Sequence, residues 1–572
     1  MRNFYKVITF ILFFLFVLFK SSFVLSKSND VIYNEKSIKN YFFGRIAASE
    51  NDTNQAFYFF KKAKSAKNEY DNFNIQFLRT LVLLGKFDKS FEHVQDLSPE
   101  KINFLEANIL LGLSYFVKND LSNAEKHFSK LNYTKKNSHF LEKNMGYFLN
   151  SIVKMSENNL FESLRYINLS SDRLINLKRI QESFTQCYFD TTKSETYFLE
   201  LTNDKDNSFS RYNFFLVNTL IHNNNFRKAE EIIKKSKFDF ESNILIQQSH
   251  DLILKENYKQ IKNFFNCKNP KDVMAEFFYI MANYHASEDN FILSNFYLKI
   301  SLFLNKKFLP NQALLADNYY QLGKYAESRD IYNSIKKVGK HYSWYASKRI
   351  ANIITKTDST ENAISFLRGE MDKIKKPDFY HYYDLADYLK SDENYKEAAE
   401  HYSTTLNKIG ENSNLIPEIL RKRGISYERL KLWSKAETDL IESLRLKPDQ
   451  PYVLNYLAYS WLEKEKNLDE SLEMLIKAVE MKPDDGYIID SLGWGYYLTK
   501  NYIKAEELLR RAIEIMPNDP VIHDHYGDVL WKLNKKIQAR YFWNHALDFK
   551  TLDEKLINKI NNKIVVGLAE RS

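Results

Sequence analysis

Small and apolar residues recur along most of this chain at intervals of about 34 residues, with short polar segments between them. In the clearest copy, Gly493 and Tyr496 stand one helical turn apart, and Ala505, Leu509 and Ala512 follow after the polar segment Thr-Lys-Asn. The last three residues have the spacing i, i+4, i+7, which places them on one face of an α-helix. Each copy is therefore predicted to form two antiparallel helices joined by a tight turn.

The repeated small residues and prolines have a structural explanation. A glycine or alanine where two helices cross lets their backbones approach closely, and a proline ends the second helix because it lacks the N–H that a helix interior needs. One copy differs, since the interval from Ala458 to Ser471 is one residue longer than usual and predicts a bulged turn. The positions with predicted structural roles are Gly424, Ala436, Pro448, Pro483, Gly493, Ala505, Ala512, Pro517, Gly527 and Ala539.

A fixed period of this length predicts a solenoid, in which each repeat buries its apolar face against its neighbours. Composition agrees with an all-α fold, because the 572 residues include only 14 glycines and 10 prolines and show no strand-length alternation of polar and apolar residues. The 43 Phe and 38 Tyr occur at helical spacing and are predicted to fill the core. We predict an all-α superhelical solenoid of about twelve to fourteen helix pairs. The pattern could not be placed in Leu174–Asn207 and Ile244–Asn269.

The pattern resembles the tetratricopeptide repeat (TPR) family, and in particular the exported and envelope TPR proteins of proteobacteria. The resemblance is clearest from Pro417 to Leu547 and weaker upstream. With the amino-terminal pattern described below, the sequence predicts a division of the chain into a signal peptide or N-terminal anchor (1–26), N-terminal repeats (27–173), an irregular helical segment (174–208), divergent repeats (209–410), well-matched repeats (411–550) and a C-terminal capping helix (551–572).

The resemblance also implies a binding surface. TPR solenoids present a concave face, built from the first helix of each pair, that takes a peptide or a protein partner. Aromatic anchors beside carboxylates predict a groove for an apolar peptide with a basic or amide-rich flank, and the alternative is that these aromatics only pack between helices. The first-helix residues predicted to point inward are Tyr452, Asn455, Tyr459, Asp490, Trp494, Tyr497, Asp524, Asp528 and Trp531.

The amino terminus predicts export. Arg2 and Lys6 precede an apolar run, Val7–Phe19. Val24 and Ser26 are small residues ahead of a cleavage point. This is the layout of a secretory signal, and the run is short for a membrane span. We predict a cleaved signal peptide and a periplasmic or envelope-associated protein. The alternatives are an uncleaved N-terminal anchor, with single-anchor or peripheral membrane association, and a eukaryotic secretory compartment.

No motif predicts catalysis, a cofactor or a metal site. The closest cluster is His523-Asp-His525, but residues at i and i+2 of a helix point in different directions, so both are predicted to be ordinary surface histidines. The metalloprotease, phosphate-loop and nucleophile-elbow motifs are absent from the sequence. Cys187 and Cys267 are separated by 80 positions, and the sequence leaves open whether they pair in an oxidising compartment.

The net charge of +9 is spread over 82 basic and 73 acidic residues, so nucleic acid is not a predicted partner. We therefore predict a non-catalytic protein that binds a protein or peptide. Two functional hypotheses remain. The first is an envelope adaptor that docks one partner, and the second is a chaperone-like or structural component that holds exported or outer-membrane proteins.

Overall fold

A computed structural model describes residues 35–64, 71–133, 140–191, 193–203, 209–239, 243–411, 413–549 and 554–568. Within these ranges the chain forms 31 α-helices and no β-strand. The first thirty helices form fifteen consecutive pairs, each with a first helix and a second helix, and one further helix follows. The predicted signal peptide or anchor, residues 1–26, lies outside the described residues.

The chain divides into two compact units, residues 1–350 and 351–572, and the boundary falls within helix α19. Unit 1 contains α1 (Glu35–Ser49), α2 (Thr53–Lys62), α3 (Asp71–Leu83), α4 (Phe87–Gln95), α5 (Leu105–Val117), α6 (Leu121–Lys130), α7 (Met145–Ser156), α8 (Leu160–Leu169), α9 (Ile175–Tyr188), α10 (Ser194–Thr202), α11 (Tyr212–His222), α12 (Phe226–Asp239), α13 (Ile244–Leu254), α14 (Tyr258–Phe264), α15 (Pro270–Ser287), α16 (Phe291–Leu304), α17 (Leu309–Gln321), α18 (Tyr325–Ile335) and the start of α19 (Lys340–Thr357). Unit 2 contains the end of α19 and α20 (Thr360–Met371), α21 (Phe379–Ser391), α22 (Tyr395–Lys408), α23 (Ile416–Arg429), α24 (Trp433–Leu446), α25 (Pro451–Glu463), α26 (Leu468–Met481), α27 (Gly486–Leu498), α28 (Tyr502–Ile515), α29 (Pro520–Lys532), α30 (Lys536–Leu547) and α31 (Glu554–Val566).

The turn inside each pair is closed by a residue with left-handed backbone, in every described pair except α19–α20. Asn and Gly, which adopt a positive φ at low cost, hold eight of these fourteen turns. The turn between α25 and α26 has two such residues, Glu465 (φ 53°) and Asn467 (φ 46°), so the bulge predicted there is confirmed. The residues that close the other turns are Asn51, Gly85, Asn119, Asn158, Asp190, Asn224, Glu256, Asp289, Gly323, Glu393, Lys431, Lys500 and Asn534.

The crossing of the two helices depends on a small residue. A Cβ atom at Gly527 would lie 2.4 Å from the Trp543 ring, and one at Gly112 would lie 2.3 Å from the Phe128 ring. Both aromatic side chains are fully buried. The predictions that glycine permits close approach and that the aromatics fill the core are confirmed.

The two stretches in which the pattern could not be placed also form helix pairs, α9–α10 and α13–α14, which brings the number of described pairs to fifteen. Their crossing residues are Ser183 and Ser249, both buried. Each hydroxyl donates to the carbonyl one turn earlier in its own helix, at 2.8 Å and 2.7 Å. Serine therefore replaces Gly or Ala at the crossing because its polar group is satisfied locally.

In unit 1, some helices also pack against helices that are distant in sequence. Helices α15 and α16 return to contact α7 and α3, although many residues separate them along the chain. Phe87 and Phe303 stack with ring centroids 4.2 Å apart, and Phe148 lies 5.8 Å from Phe277. The earlier first helices are thus covered by the chain's own later helices. In unit 2 the described helices contact chiefly the next one or two along the sequence, as in a simple solenoid.

Cys187 and Cys267 form a disulfide with their Cα atoms 6.0 Å apart, which answers the question that the sequence left open. Cys187 lies in the last turn of α9, and Cys267 lies in the loop before α15. Beside it, the Nζ of Lys268 donates to the carbonyl of Tyr188 at 3.0 Å. The bond therefore joins the middle of unit 1 to the segment that folds back.

Removing this disulfide is expected to destabilise unit 1. The Cys187→Ala/Cys267→Ala double variant should lower the free energy of unfolding by about 2–4 kcal/mol, because the bond restricts a long loop in the unfolded chain. Urea unfolding of the oxidised and reduced chain measures the change, and reductant should not affect the double variant. Equal midpoints for the oxidised and reduced wild-type chain would contradict the expectation.

Candidate functional site

Three successive first helices in unit 2 present a side chain at the same position near their starts. Tyr452 on α25, Tyr487 on α27 and Val521 on α29 are spaced by one repeat each and are 57%, 58% and 40% exposed. Large apolar or aromatic side chains that stay this exposed at three equivalent positions form a row on one side of the unit. We call Tyr452, Tyr487 and Val521 the exposed row.

A cleft of about 310 Å³ lies beside the exposed row. It is formed by α25, α27 and the start of α29, so its walls come from three consecutive pairs. Three of the residues predicted to bind a partner, Asn455, Tyr459 and Asp490, line it together. Its other lining residues are Tyr456, Tyr487, Ser491, Asp519, Val521 and Ile522.

The cleft is lined by three tyrosines, two aliphatic side chains, one Asn, one Ser and two carboxylates, and none of its described lining residues is Lys or Arg. The side-chain oxygen of Asn455 is buried and has no hydrogen-bond partner among the described residues. Asp519 caps α29 by accepting from the backbone N–H of Val521 at 2.9 Å. Burial, with the charges of Glu463 and Asp490, raises the pKa of the Tyr459 hydroxyl, which therefore stays protonated. These groups favour a ligand that donates hydrogen bonds or carries positive charge.

Asp490 is tied to a buried network beneath the cleft. Its carboxylate accepts from the Nδ1–H of His525 at 2.9 Å, and the His525 ring stacks on Trp494 with centroids 4.2 Å apart. Trp494 also stacks on Tyr497 and donates its indole N–H to Glu463 at 3.0 Å. Trp494 is only 7% exposed. In this structure Trp494 therefore supports the floor of the cleft and does not line it.

The three predicted residues on α29 lie apart from the cleft. The carboxylates of Asp524 and Asp528 both contact the ammonium of Lys563 on α31, at 2.6 Å each. Asp528 also accepts from the indole N–H of Trp543 at 3.0 Å. Trp531 packs against Trp543, with ring centroids 5.4 Å apart. The last repeat thus uses these side chains to hold the chain's own final helix.

The prediction that His523 and His525 are ordinary surface histidines is wrong, because they are 2% and 5% exposed. His525 faces Asp490, whereas His523 stacks on His545 with centroids 4.8 Å apart. Their side chains do diverge, as the i, i+2 spacing predicts. No cluster of three or more side chains suited to a metal ion occurs within the described ranges.

Sequence reasoning did not include Tyr487, Asp519 or Lys563 among the functional or supporting residues. Tyr487 stands 35 positions after Tyr452, so alignment of the repeats contains the information needed to find it. Asp519 and Lys563 lie outside the inward positions of the first helices, in a cap and in the last helix. Only the folded structure shows that Asp519 lines the cleft and that Lys563 binds the carboxylates of the last repeat.

Stability of unit 2 is expected to fall as the pH rises above the ordinary histidine pKa, about 6.5. Burial alone would lower the pKa of His525, but the carboxylate of Asp490, with Asp524 and Asp528, raises it above its ordinary value. Protonated His525 therefore stabilises the fold fully below its unfolded pKa, near 6.5, and this contribution is lost as pH rises through the raised folded pKa. Urea unfolding at several pH values should show the decline, and Asp490→Asn should flatten it. A wild-type profile identical to that of Asp490→Asn would contradict it.

Comparison with known proteins concerns the fold alone. No protein-family model and no curated protein sequence matches the chain. The APC/C hetero-tetramer Cut9–Hcn1 is 13% identical over 80% of this chain and 96% of that one, with a TM-score of 0.34. A tetratricopeptide repeat protein from Parabacteroides merdae is 14% identical over 44% and 97%, with a TM-score of 0.36. YrrB, described as a TPR protein with an unusual peptide-binding site, is 21% identical over 31% and 88%, with a TM-score of 0.26.

The fold class rests on this chain's own helix pairs, the small residue at most of the crossings and the spacing of about 34 residues. Together they define an all-α solenoid of antiparallel helix pairs with a TPR-like fold. Among the described residues, no helix combines the length and the apolar character that crossing a membrane requires.

Proposed function

We propose that the chain is a non-catalytic scaffold that binds a protein partner through an extended peptide segment in the cleft of unit 2. The observation that carries the proposal is the cleft itself, where three successive first helices bring Asn455, Tyr459, Asp490 and Asp519 around one space. The exposed row supplies aromatic and apolar surface beside it. Tyrosine side chains are among the residues enriched in binding hot spots.

The charge of the cleft indicates the chemistry of the peptide. Asn455 and two carboxylates line the space, and the described lining has no Lys or Arg side chain. Asp490 is bonded to His525 beneath the cleft and Asp519 caps α29, so the lining offers acceptors that are already partly satisfied. A peptide with an apolar centre and a flank of Lys, Arg, Asn or Gln would supply the missing donors. A peptide with an acidic flank would meet like charge and bind more weakly.

Unit 2 is favoured over unit 1 for this role because of how the two units pack. In unit 1 the later helices α15 and α16 cover the earlier first helices α3 and α7. In unit 2 the first helices α25, α27 and α29 keep an exposed row of side chains.

The proposal includes export to an envelope or periplasmic compartment, where the scaffold would be soluble or held by its N-terminal segment. The signal-like sequence before residue 27 supports export. The Cys187–Cys267 disulfide is the kind of bond that persists in an oxidising compartment. Fractionation of cells that express the full chain tests the location, and a cytoplasmic pool alone would contradict it.

A peptide array tests the binding site directly. Peptides with one apolar centre and flanks of Lys, Gln or Glu are compared, and we expect the Lys or Gln series to bind at least about tenfold more tightly than the Glu series. Tyr459→Ala and Asn455→Leu should each weaken binding by about tenfold or more. Tyr541→Ala is the matched control, because Tyr541 is a 62% exposed tyrosine on the second helix α30. Equal binding by all variants would contradict the site.

The same variants separate the two classes of scaffold. Substitution at Trp494 would disturb the packing of His525, so Tyr459 and Asn455 are the better positions to change. In a pull-down from fractionated cells, an adaptor should lose one stoichiometric partner when Tyr459 or Asn455 is replaced. Capture of many unrelated exported proteins, unaffected by either substitution, would support the chaperone-like alternative.

A further inference from the structure

Unit 1 contains a cavity that its own return contacts create. Its volume is about 300 Å³, and its walls come from α1 to α3 on one side and from α16 to α18 on the other. Segments that contribute to it are far apart in sequence, from Arg45 to Lys324. The cavity is separate from the cleft of unit 2, and its role does not depend on the function proposed above.

The lining of this cavity is basic. Arg45, Arg79 and Lys324 line it, and none of its described lining residues is Asp or Glu. Arg79 is already neutralised, because its guanidinium donates to the buried carboxylate of Glu106 at 2.6 Å. Arg45 contacts only the hydroxyl of Tyr41, at 3.3 Å, among the described side chains. Arg45 and Lys324 therefore bring positive charge to the cavity without a carboxylate partner in the described structure.

A further lysine adds to this charge. The ammonium groups of Lys299 and Lys324 each lie 5.8 Å from the ring centroid of Tyr319, which lines the cavity. Burial lowers the pKa of Lys299, and the positive charge of Lys324 lowers it further. Two like charges beside one ring repel each other unless an anion lies between or beside them. Glu50, Asp52 and Glu327 line an adjoining outer cleft that shares Tyr319 and Lys324 with the cavity.

The rest of the wall sets the shape of the ligand. Ala48, Leu83, Leu293 and Leu322 give it an apolar part, and Gln76 adds a side-chain amide. A volume of about 300 Å³ is at the lower end of the range for pockets that hold small organic molecules. An apolar wall with cations on one side fits a molecule that has an apolar body and one anionic group.

We infer that unit 1 binds a small organic anion, an apolar or aromatic body bearing a carboxylate or a phosphate, with Arg45 and Lys324 contacting the anionic group. The inference rests on two features of one cavity, cations without carboxylate partners and an apolar wall.

Isothermal titration of the full chain with matched probes tests the site. Phenyl phosphate and phenylacetate carry the two anionic groups on a similar body, benzyl alcohol is the neutral analogue, and inorganic phosphate lacks the body. We expect one of the two organic anions to saturate a single site, with benzyl alcohol and inorganic phosphate each at least about tenfold weaker. The preferred anion identifies the head group.

Variants locate the binding within the cavity. Lys324→Met and Arg45→Met should each reduce the affinity for the preferred probe by about tenfold. Lys306→Met, at an exposed lysine of the same unit outside the cavity lining, should leave it unchanged. Arg45 is exposed, so Arg45→Met also serves if Lys324→Met fails to fold. Absence of saturable binding by both organic anions, or equal affinity in all three variants, would overturn the inference.

Discussion

Lys563→Met is expected to destabilise unit 2 by about 3–5 kcal/mol, a large effect for a single lysine. Its ammonium group lies 2.6 Å from the carboxylates of both Asp524 and Asp528, which are 1% and 3% exposed. Without the lysine, two neighbouring carboxylates remain buried with no cation between them. Burial and the charge of Asp524 already raise the pKa of Asp528, so one of the pair would take up a proton at a cost to folding.

A matched lysine on the same helix provides the control. Lys559 lies 3.6 Å from Asp524, but its side chain is 57% exposed. Lys559→Met should therefore cost no more than about 1 kcal/mol, the range of surface ion pairs. Asp528→Asn in the Lys563→Met background should restore part of the stability. Urea unfolding followed by tryptophan fluorescence measures all three. A loss for Lys563→Met no greater than that for Lys559→Met would contradict the role given to this lysine.

In unit 1, Arg211→Met is expected to lower the free energy of unfolding by about 3–5 kcal/mol. Arg211 precedes α11 and forms a two-point ion pair with Glu276 on α15, with one N–O distance of 2.7 Å. The Glu276 side chain is 1% exposed. Removal of the guanidinium leaves this carboxylate buried and unpaired, and it also removes a cation from the face of Tyr279, 4.4 Å away.

The pH dependence of this loss has a definite sign. Burial raises the pKa of Glu276 even though Arg211 opposes the shift. In the variant the folded pKa rises further, so the penalty should be larger at pH 8 than at pH 5. Hydrogen exchange of peptides from α11 and α15 measures the change within unit 1. Arg227→Met is the control, because Arg227 is 91% exposed in its pair with Glu231. The same loss in both variants would contradict the expectation.

The structure of a single helix pair could be predicted from the sequence because the residues that determine it lie within one repeat. Gly527 and Trp543 are 16 residues apart, and the clash that a Cβ atom would meet follows from helix geometry alone. The extra residue between Ala458 and Ser471 likewise predicts the bulged turn that Glu465 and Asn467 form. The repeats with Ser183 or Ser249 at the crossing lack the Gly or Ala that marks most of the others, so the repeat pattern did not reveal them.

The site was predictable only in part, since it depends on contacts between segments that the repeat pattern does not relate. Asn455, Tyr459 and Asp490 come together because they occupy inward positions of successive first helices. Asp524 and Asp528 occupy the same kind of position, but Lys563 from outside the repeats binds them. The return of α15 and α16 in unit 1 is likewise absent from the pattern, because every helix pair looks alike in sequence whether or not a distant helix covers it.

The return of α15 and α16 also has a kinetic consequence. A ribosome releases Phe87 and Phe148 long before Phe303 and Phe277, the side chains that cover them. The first pairs of unit 1 therefore emerge with uncovered apolar surface and complete their core only after α16 has been synthesised. Unit 2, whose helices pack on their sequence neighbours, can fold pair by pair as it appears. Unit 1 therefore completes its fold more slowly than unit 2, although it is synthesised first, because more of its contacts join residues that are distant in sequence.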